Sequence, residues 1–260
     1  MIHYEVEDAI ARITLESPPV NALTIAMLDA LLAALRRAKD DSGVRTVILQ
    51  SAIPRYFCAG LDLAALQGAS ADHVRALLDR LYVALTDLQH DLGKPSIAAI
   101  SGAARGGGMT LAISCNVIVA DDRASFGYPE IDVGLLPAIH FAHLPGIVGR
   151  HRAYELLFTG RAFDAEEARA LGLISRVAVD ARAETLALAR TFAAKSPTAM
   201  ALGRAEFMRA NDYRAELPPV IDAFVEASMS EDGREGVKAF AENRKPTWKP
   251  PSQEAQHVKK

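Results

Sequence analysis

Two cysteines are all this chain has, Cys58 and Cys115, and both stand in apolar surroundings. They read as reduced core thiols rather than as a disulfide framework. No stretch approaches about 18 uninterrupted apolar residues, the length a membrane-spanning helix needs. The opening residues MIHYEVEDAI carry neither the basic nor the apolar block of a secretory leader. A soluble, cytoplasmic protein with no membrane partner is therefore expected. Positive charge is not concentrated anywhere: the net charge is −3, with lysines and arginines scattered, which argues against nucleic acid as a partner. No internal repeat occurs at solenoid periods.

Several catalytic signatures are absent too. Gly102-Ala-Ala-Arg-Gly106 has the wrong spacing for a dinucleotide fingerprint, and the glycines at 106–108 are followed by Met109-Thr110 instead of the Lys-Ser/Thr of a phosphate-cradling loop. No G-x-S-x-G elbow is present, which excludes a serine hydrolase of that type. His140-Phe-Ala-His143 has the i, i+3 spacing of a metal pair but no acid or cysteine beside it in ligand spacing. No metal is expected, and these two histidines are read as lining a pocket or bonding locally.

Against these absences stands an ample core. Half of the 260 residues are apolar, enough for one large domain, or one domain with a small appendage. Residues Ile2–Glu16 alternate and predict a β-hairpin, which Ser17-Pro18-Pro19 breaks. Asn21 and Thr24 are candidate caps for a helix over Ile25–Asp40, and Val44–Gln50 reads as a strand. Ser51–Leu63 is expected to be a loop rising from that strand's carboxyl end, where ligands gather in open α/β sheets. An amphipathic helix over Asp72–Asp91 follows, ended by Gly93-Lys94-Pro95. Short helices are predicted at Arg152–Thr159 and from Asp164. After the brief extended piece Leu173–Val177, Ala181–Phe240 is helical in pattern, interrupted at Ser196-Pro197 and Pro218-Pro219. This order implies a right-handed succession of strands and helices, with residues 1–195 as the core and 196–260 as a helical region that has apolar residues to spare for subunit contacts. Lys245–Lys260 is expected to fray.

The densest information lies in Ser96–Glu130. The apolar run Ile97–Ile100 suits a buried strand, and Gly102 and Gly106–Gly108 break it sharply. Three successive glycines are costly inside a helix, each by about 1 kcal/mol against Ala. They suit a backbone that turns tightly and brings its amides close to something else. The apolar segment Met109–Cys115 has helical spacing, so those amides would open a helix, where free N–H groups and the positive dipole end stabilise an oxyanion. A second apolar run, Asn116–Ala120, leads to Phe126-Gly127-Tyr128-Pro129-Glu130. Glu130 is either a surface residue of a turn or a desolvated carboxylate. Burial would raise its pKa toward neutrality, as a general base requires.

Taken together, Pro19-Val20-Asn21-Ala22-Leu23, Phe57-Cys58-Ala59-Gly60-Leu61-Asp62-Leu63, Gly102–Gly108, Ala124–Glu130 and Thr159-Gly160-Arg161 with Ala170-Leu171-Gly172-Leu173 resemble the crotonase (enoyl-CoA hydratase/isomerase) superfamily over nearly the whole chain. The resemblance implies an α/β fold with a ββα-spiral core and C-terminal helices that trimerise, commonly as a dimer of trimers. It implies an acyl-CoA thioester as substrate and no bound cofactor, coenzyme A being part of the substrate. The thioester oxygen would lie between the backbone N–H groups of Leu61 and Gly107. Ala59, Gly60, Leu61, Asp62 and Leu63 would border the adenine and pantetheine, with Gly106, Tyr128, Pro137 and His140 also substrate-binding.

The family's hydratases use two glutamates. The second is present as Glu130, but Thr110 occupies the first position, and a threonine hydroxyl is no base at neutral pH. Isomerisation with Glu130 as proton shuttle is thus slightly favoured over hydration, with Thr110 shaping or hydrating the pocket. Pro137-Ala138-Ile139-His140 replaces the glycine-rich turn common in hydratases, which makes His140 a candidate supplementary acid or base. A hydrolase or decarboxylase on the same scaffold, or a non-catalytic acyl-CoA-binding or RNA-associated member, are the alternatives.

Overall fold

A computed structural model describes residues 1–248. The opening hairpin is formed by β1 (Ile2–Glu7) and β2 (Ile10–Leu15), paired antiparallel. From there the chain repeats one unit: a long strand, a short strand, then helix. The long strands β3 (Thr46–Ser51), β5 (Ser96–Ile100) and β7 (Val117–Ala120) join the hairpin in one sheet. The short strands β4 (Tyr56–Cys58), β6 (Ala103–Arg105) and β8 (Ser125–Gly127) build a second. β9 (Phe163–Asp164) closes the second sheet antiparallel to β8, and β10 (Arg176–Val177) closes the first parallel to β7. All pairings from β2 through β3, β5 and β7 are parallel. The fold is a spiral of such units followed by a helical C-terminal region.

The long strands are covered on both faces, so they read as continuous apolar runs rather than as alternations. Val47, Leu49, Ala98 and Ile100 point into the main core. Ile48, Ile97 and Val119 point the other way, under the helix Ala181–Ala193, where Ala181, Leu188 and Ala189 meet them. The expected loop Ser51–Leu63 contains β4, and three-residue strands of this kind carry too little periodicity to be seen in a sequence. Helix Ala138–Val148 was likewise not anticipated, because Pro145 lies inside it.

Thr24 caps the helix Ile25–Asp40, its side chain accepting from the Met27 amide at 3.2 Å. Asn21, the other candidate cap, has a different task. It is fully buried with φ at 54°. Its Nδ2 donates to Ser51 Oγ (2.8 Å) and to the Phe57 carbonyl (2.9 Å), and its Oδ1 accepts from the Ser17 amide (2.7 Å). One side chain thereby ties the Pro18-Pro19 turn to the start of the Cys58–Leu63 segment. The expected helix Asp72–Asp91 runs as Ala71–Leu78 and Leu85–His90, with a π-helical stretch, Asp79–Ala84, between them. This wider turn carries Leu81 and Tyr82 into the core beside the glycine loop. Inserts of this kind often accompany functional sites.

Beyond Ser196, whose side chain caps it, come the helices Pro197–Ala210, Leu217–Met229 and Glu231–Ala241. Pro218 and Pro219 sit in the first turn of the second of these, where a missing amide costs nothing. Most of the tail expected to fray, residues 249–260, lies outside the described residues. Among the described residues no helix is long and apolar enough to cross a membrane. Both cysteines are free and buried, and burial pushes each thiol up to about 12.

Because Asn21 satisfies a buried carbonyl in a left-handed backbone conformation, Asn21→Ala is expected to lower the unfolding free energy by about 2–3 kcal/mol. Urea titration followed by circular dichroism checks this, and a midpoint equal to wild type would contradict it.

Candidate active site

A cavity of about 650 Å³ opens where the Pro18–Thr24 segment, the Ala59–Leu63 segment, the glycine loop and the Pro129–Val133 turn meet. Its walls are held by backbone pairing. Leu23 forms a parallel bridge to Leu61: its amide donates to the Gly60 carbonyl (2.8 Å), and its carbonyl accepts from the Asp62 amide (3.1 Å). In such a pairing alternate groups face opposite sides. With Gly60 O and Asp62 N turned to Leu23, the Leu61 amide between them points away, and it donates to no acceptor among the described residues.

The glycine loop faces it. Gly106 (φ 49°) accepts at its carbonyl from the Met109 and Thr110 amides, and the helix Gly107–Ser114 begins there. The Gly107 amide, at that helix's first position, has no protein acceptor among the described residues either. The two segments touch. A Cβ on Gly60 (φ 97°) would fall 3.3 Å from Gly107 N and 2.9 Å from the Arg105 carbonyl. Only glycine fits there.

Glu130 stands on the third side, in the 3₁₀ turn Pro129–Val133. Its carboxyl lies so close over Gly106 that a Cβ on that glycine would come within 2.6 Å of Oε1. Oε2 is sealed from solvent and has no hydrogen-bond partner. Burial is the main cause that raises the group to about 7, since the charged form loses more hydration than the hydrogen bond from its own backbone amide restores. Glu130 as a whole is half-buried, but its Oε2 is sealed, which makes it the desolvated carboxylate of the two alternatives. A carboxyl that titrates near neutrality beside two unpaired amides can accept and return a proton next to a site that stabilises an oxyanion.

Of the residues singled out from the sequence, Ala59, Gly60, Leu61, Asp62, Leu63, Gly106, Gly107 and Glu130 all line this one cavity. Thr110, Tyr128, Pro137 and His140 do not. Thr110 and His140 are buried behind the glycine loop, with Thr110 Oγ1 3.4 Å from His140 Nε2, itself 3.4 Å from the Gly106 carbonyl. Tyr128 is fully buried and meets the His140 ring edge-on at 4.6 Å. Pro137 precedes the helix Ala138–Val148 as its N-cap. His140 and His143 bond each other, Nδ1 to Nε2, at 3.2 Å. Burial drives His140 well below the ordinary imidazole value and His143 to about 3, so both are neutral. Walled off and uncharged, His140 is no acid or base toward anything in the cavity. Among the described residues no three His, Cys, Asp or Glu side chains gather as a metal set.

Sequence reasoning missed Asp132, Phe224 and Phe240, which also border the cavity. Asp132, two residues past Glu130, is raised by partial burial and lies against Gly160, whose Cβ would sit 3.0 Å from its Oδ2. The i, i+2 spacing of acids after Pro129 was its signal. The two phenylalanines come from the C-terminal helices, and no local pattern links them to the loop.

A spiral of paired long and short strands, with two unpaired amides facing a desolvated carboxyl, defines an enzyme of the crotonase class. The comparisons agree. A sequence profile of the family described as enoyl-CoA hydratase/isomerase matches residues 5–251, and the chain belongs to that family of acyl-CoA-processing enzymes. It is 36% identical to a probable enoyl-CoA hydratase of Bacillus subtilis, over 95% of this chain and 98% of that one. It is 33% identical to the mouse mitochondrial methylglutaconyl-CoA hydratase, over 88% and 76% respectively. The crystal structure of carnitinyl-CoA hydratase from Mycobacterium avium superposes with a TM-score of 0.84 at 32% identity, covering 95% of this chain and 98% of that one.

The raised pKa sets a stability trend. Folded Glu130 keeps its proton up to about 7, whereas the ordinary value is 4.5. Between those values the unfolded chain binds fewer protons, so its contribution to stability is lost as pH rises through that window. Glu130→Gln removes this loss, and at pH 8 the variant is expected to exceed wild type by on the order of 3 kcal/mol. The gap should close near pH 4, and urea midpoints that differ equally at both pH values would refute the assignment.

Proposed function

We propose that this enzyme moves a proton between two carbons of an enoyl-CoA thioester through an enolate, with isomerisation slightly favoured over hydration. In this reading the Ala59–Leu63 wall borders the coenzyme A portion, and the thioester oxygen lies between the Leu61 and Gly107 amides. The Glu130 carboxylate takes a proton from the α carbon of a 3-enoyl thioester. The electron pair left behind delocalises onto the thioester oxygen, and the two amides bear its charge. The same carboxyl then returns the proton at the γ carbon, and the double bond moves into conjugation as the oxygen's charge is released. No cofactor is needed, since the only changes are a proton taken and a proton returned.

What carries the proposal is the Glu130 carboxyl raised to about 7 against Gly106. At neutral pH such a group both accepts and donates efficiently. An α-proton of a thioester is too weakly acidic to leave otherwise, and one oxyanion donor is worth about 2.7–4 kcal/mol. Isomerisation is favoured because the first hydratase glutamate is replaced by Thr110, buried behind the loop. Hydration of a 2-enoyl thioester is the second reading, supported by relatives named as hydratases. It requires a second group to hold the attacking water; Asp62 and Asp132 are the other acids at the cavity wall, and Asp132 lies two residues from Glu130 on the same turn.

Assembly into a trimer, or a dimer of trimers, belongs to the same proposal. Tyr154 and Phe158 form an exposed apolar pair, stacked at 4.3 Å, and Phe158 stacks in turn on Phe141 of the preceding helix at 5.8 Å. Light scattering that returned a single-chain mass would count against it.

Two kinetic outcomes are expected. Glu130→Gln should lower kcat on 3-enoyl-CoA by at least about 10²-fold, and undiminished turnover on both 3-enoyl- and 2-enoyl-CoA would remove Glu130 from the mechanism. In wild type, kcat/KM should fall below a pKa of about 7, where the carboxyl takes up its proton. A profile flat from pH 5 to 8 would be inconsistent with Glu130 as base.

A further inference from the structure

We propose that His140 is a positioning residue for the oxyanion site: through its Nε2–H it bonds the Gly106 carbonyl, and so aims and strengthens the Gly107 N–H of the same peptide unit. The inference rests on the reading above, in which that amide receives the thioester oxygen. His140 touches nothing in the cavity. Its effect runs through one peptide group, whose oxygen faces the buried imidazole and whose N–H faces the cavity.

The direction of the bond follows from the neighbours. His140 Nε2 lies 3.4 Å from both the Gly106 carbonyl and Thr110 Oγ1. The Gly106 carbonyl only accepts, so its contact with Nε2 is a hydrogen bond only when Nε2 carries the proton; a bare Nε2 would accept from the Thr110 hydroxyl and turn a lone pair toward that carbonyl. Neutral His140 then presents a lone pair at Nδ1, which the His143 Nε2–H fills at 3.2 Å. The remaining atom, His143 Nδ1, is buried and unpartnered. In this tautomer it is an orphan acceptor. In the opposite tautomer it would be an orphan buried N–H, which is the rarer and costlier arrangement. Three donors converge on the Gly106 carbonyl: the Met109 amide at 2.8 Å, the Thr110 amide at 3.2 Å and His140. The first two come with the helix, and the third is supplied by this side chain, oriented in turn by His143 and by the edge of Tyr128. Bonds in series polarise one another by about 10–30%. Applied to an oxyanion donor worth about 10²–10³ in kcat, that predicts a loss of roughly two- to eightfold without His140.

The test uses the full-length protein and dimethylaminocinnamoyl-CoA, a thioester whose absorption band shifts to the red as its carbonyl is polarised. Wild type is expected to shift the band. His140→Phe should bind the probe with a smaller red shift, and His140→Gln, which keeps a donor, should recover most of it. Equal shifts in wild type and His140→Phe overturn the proposal, and leave the acyl-CoA reading intact. Wild type that binds the probe with no shift overturns the oxyanion reading and this inference with it. Should His140→Phe fail to fold, the nitrogen NMR resonance of His140 Nε2 in wild type decides. A protonated, pyrrole-type signal is expected, and a bare, pyridine-type signal overturns the proposal.

Discussion

The structure depends on the contact between a carboxyl group and a backbone that has no side chain to keep it away. Glu130 rests on Gly106 at a distance no Cβ would permit, and that closeness does several things at once. It strips water from the acid and lifts its pKa. It places the acid beside the peptide whose N–H opens the helix Gly107–Ser114. It also makes the left-handed turn at Gly106 indispensable, since the turn is what frees the Gly107 amide.

Around this contact the fold acts as a frame. The long strands β3, β5 and β7 of the main sheet are buried on both faces, and each hands the chain to a short strand of the second sheet before the next helix. β4 and β6 pair directly, so the Ala59–Leu63 segment and the glycine loop, which follow them, leave adjacent positions. Asn21 and the Leu23–Leu61 bridge then brace the first of these from behind. The π-helical stretch Asp79–Ala84 brings Leu81 against Gly107 from the other side, where a Cβ on that glycine would come within 3.1 Å of Leu81 Cδ2. Every wall of the cavity is thus set by packing or by a backbone hydrogen bond, which is the preorganisation that stabilisation of a developing charge requires.

Behind the loop lies a polar layer: Thr110, Tyr128, His140 and His143, all buried and uncharged. Polar groups at such depth cost stability unless they are paired, and here pairing is partial, since Tyr128 Oη and His143 Nδ1 lack partners. Sequence motifs singled out the right neighbourhood but the wrong side of it. Thr110 and His140 are only one peptide group away from the cavity, and spacing along the chain carries no information about which face of a glycine turn a side chain occupies.

The sequence by itself determined the local matters: which runs are buried strands, where helices begin, that three glycines mark a backbone approach, and that an acid stands in an apolar setting. These follow from periodicity, caps and steric limits, which act over a few residues. Tertiary structure alone decided the pKa of Glu130, the isolation of His140, the entry of Asp132, Phe224 and Phe240 into the cavity wall, and the second sheet of three-residue strands. Each of those depends on what packs against a residue from more than twenty positions away or across a turn, and desolvation has no local signature.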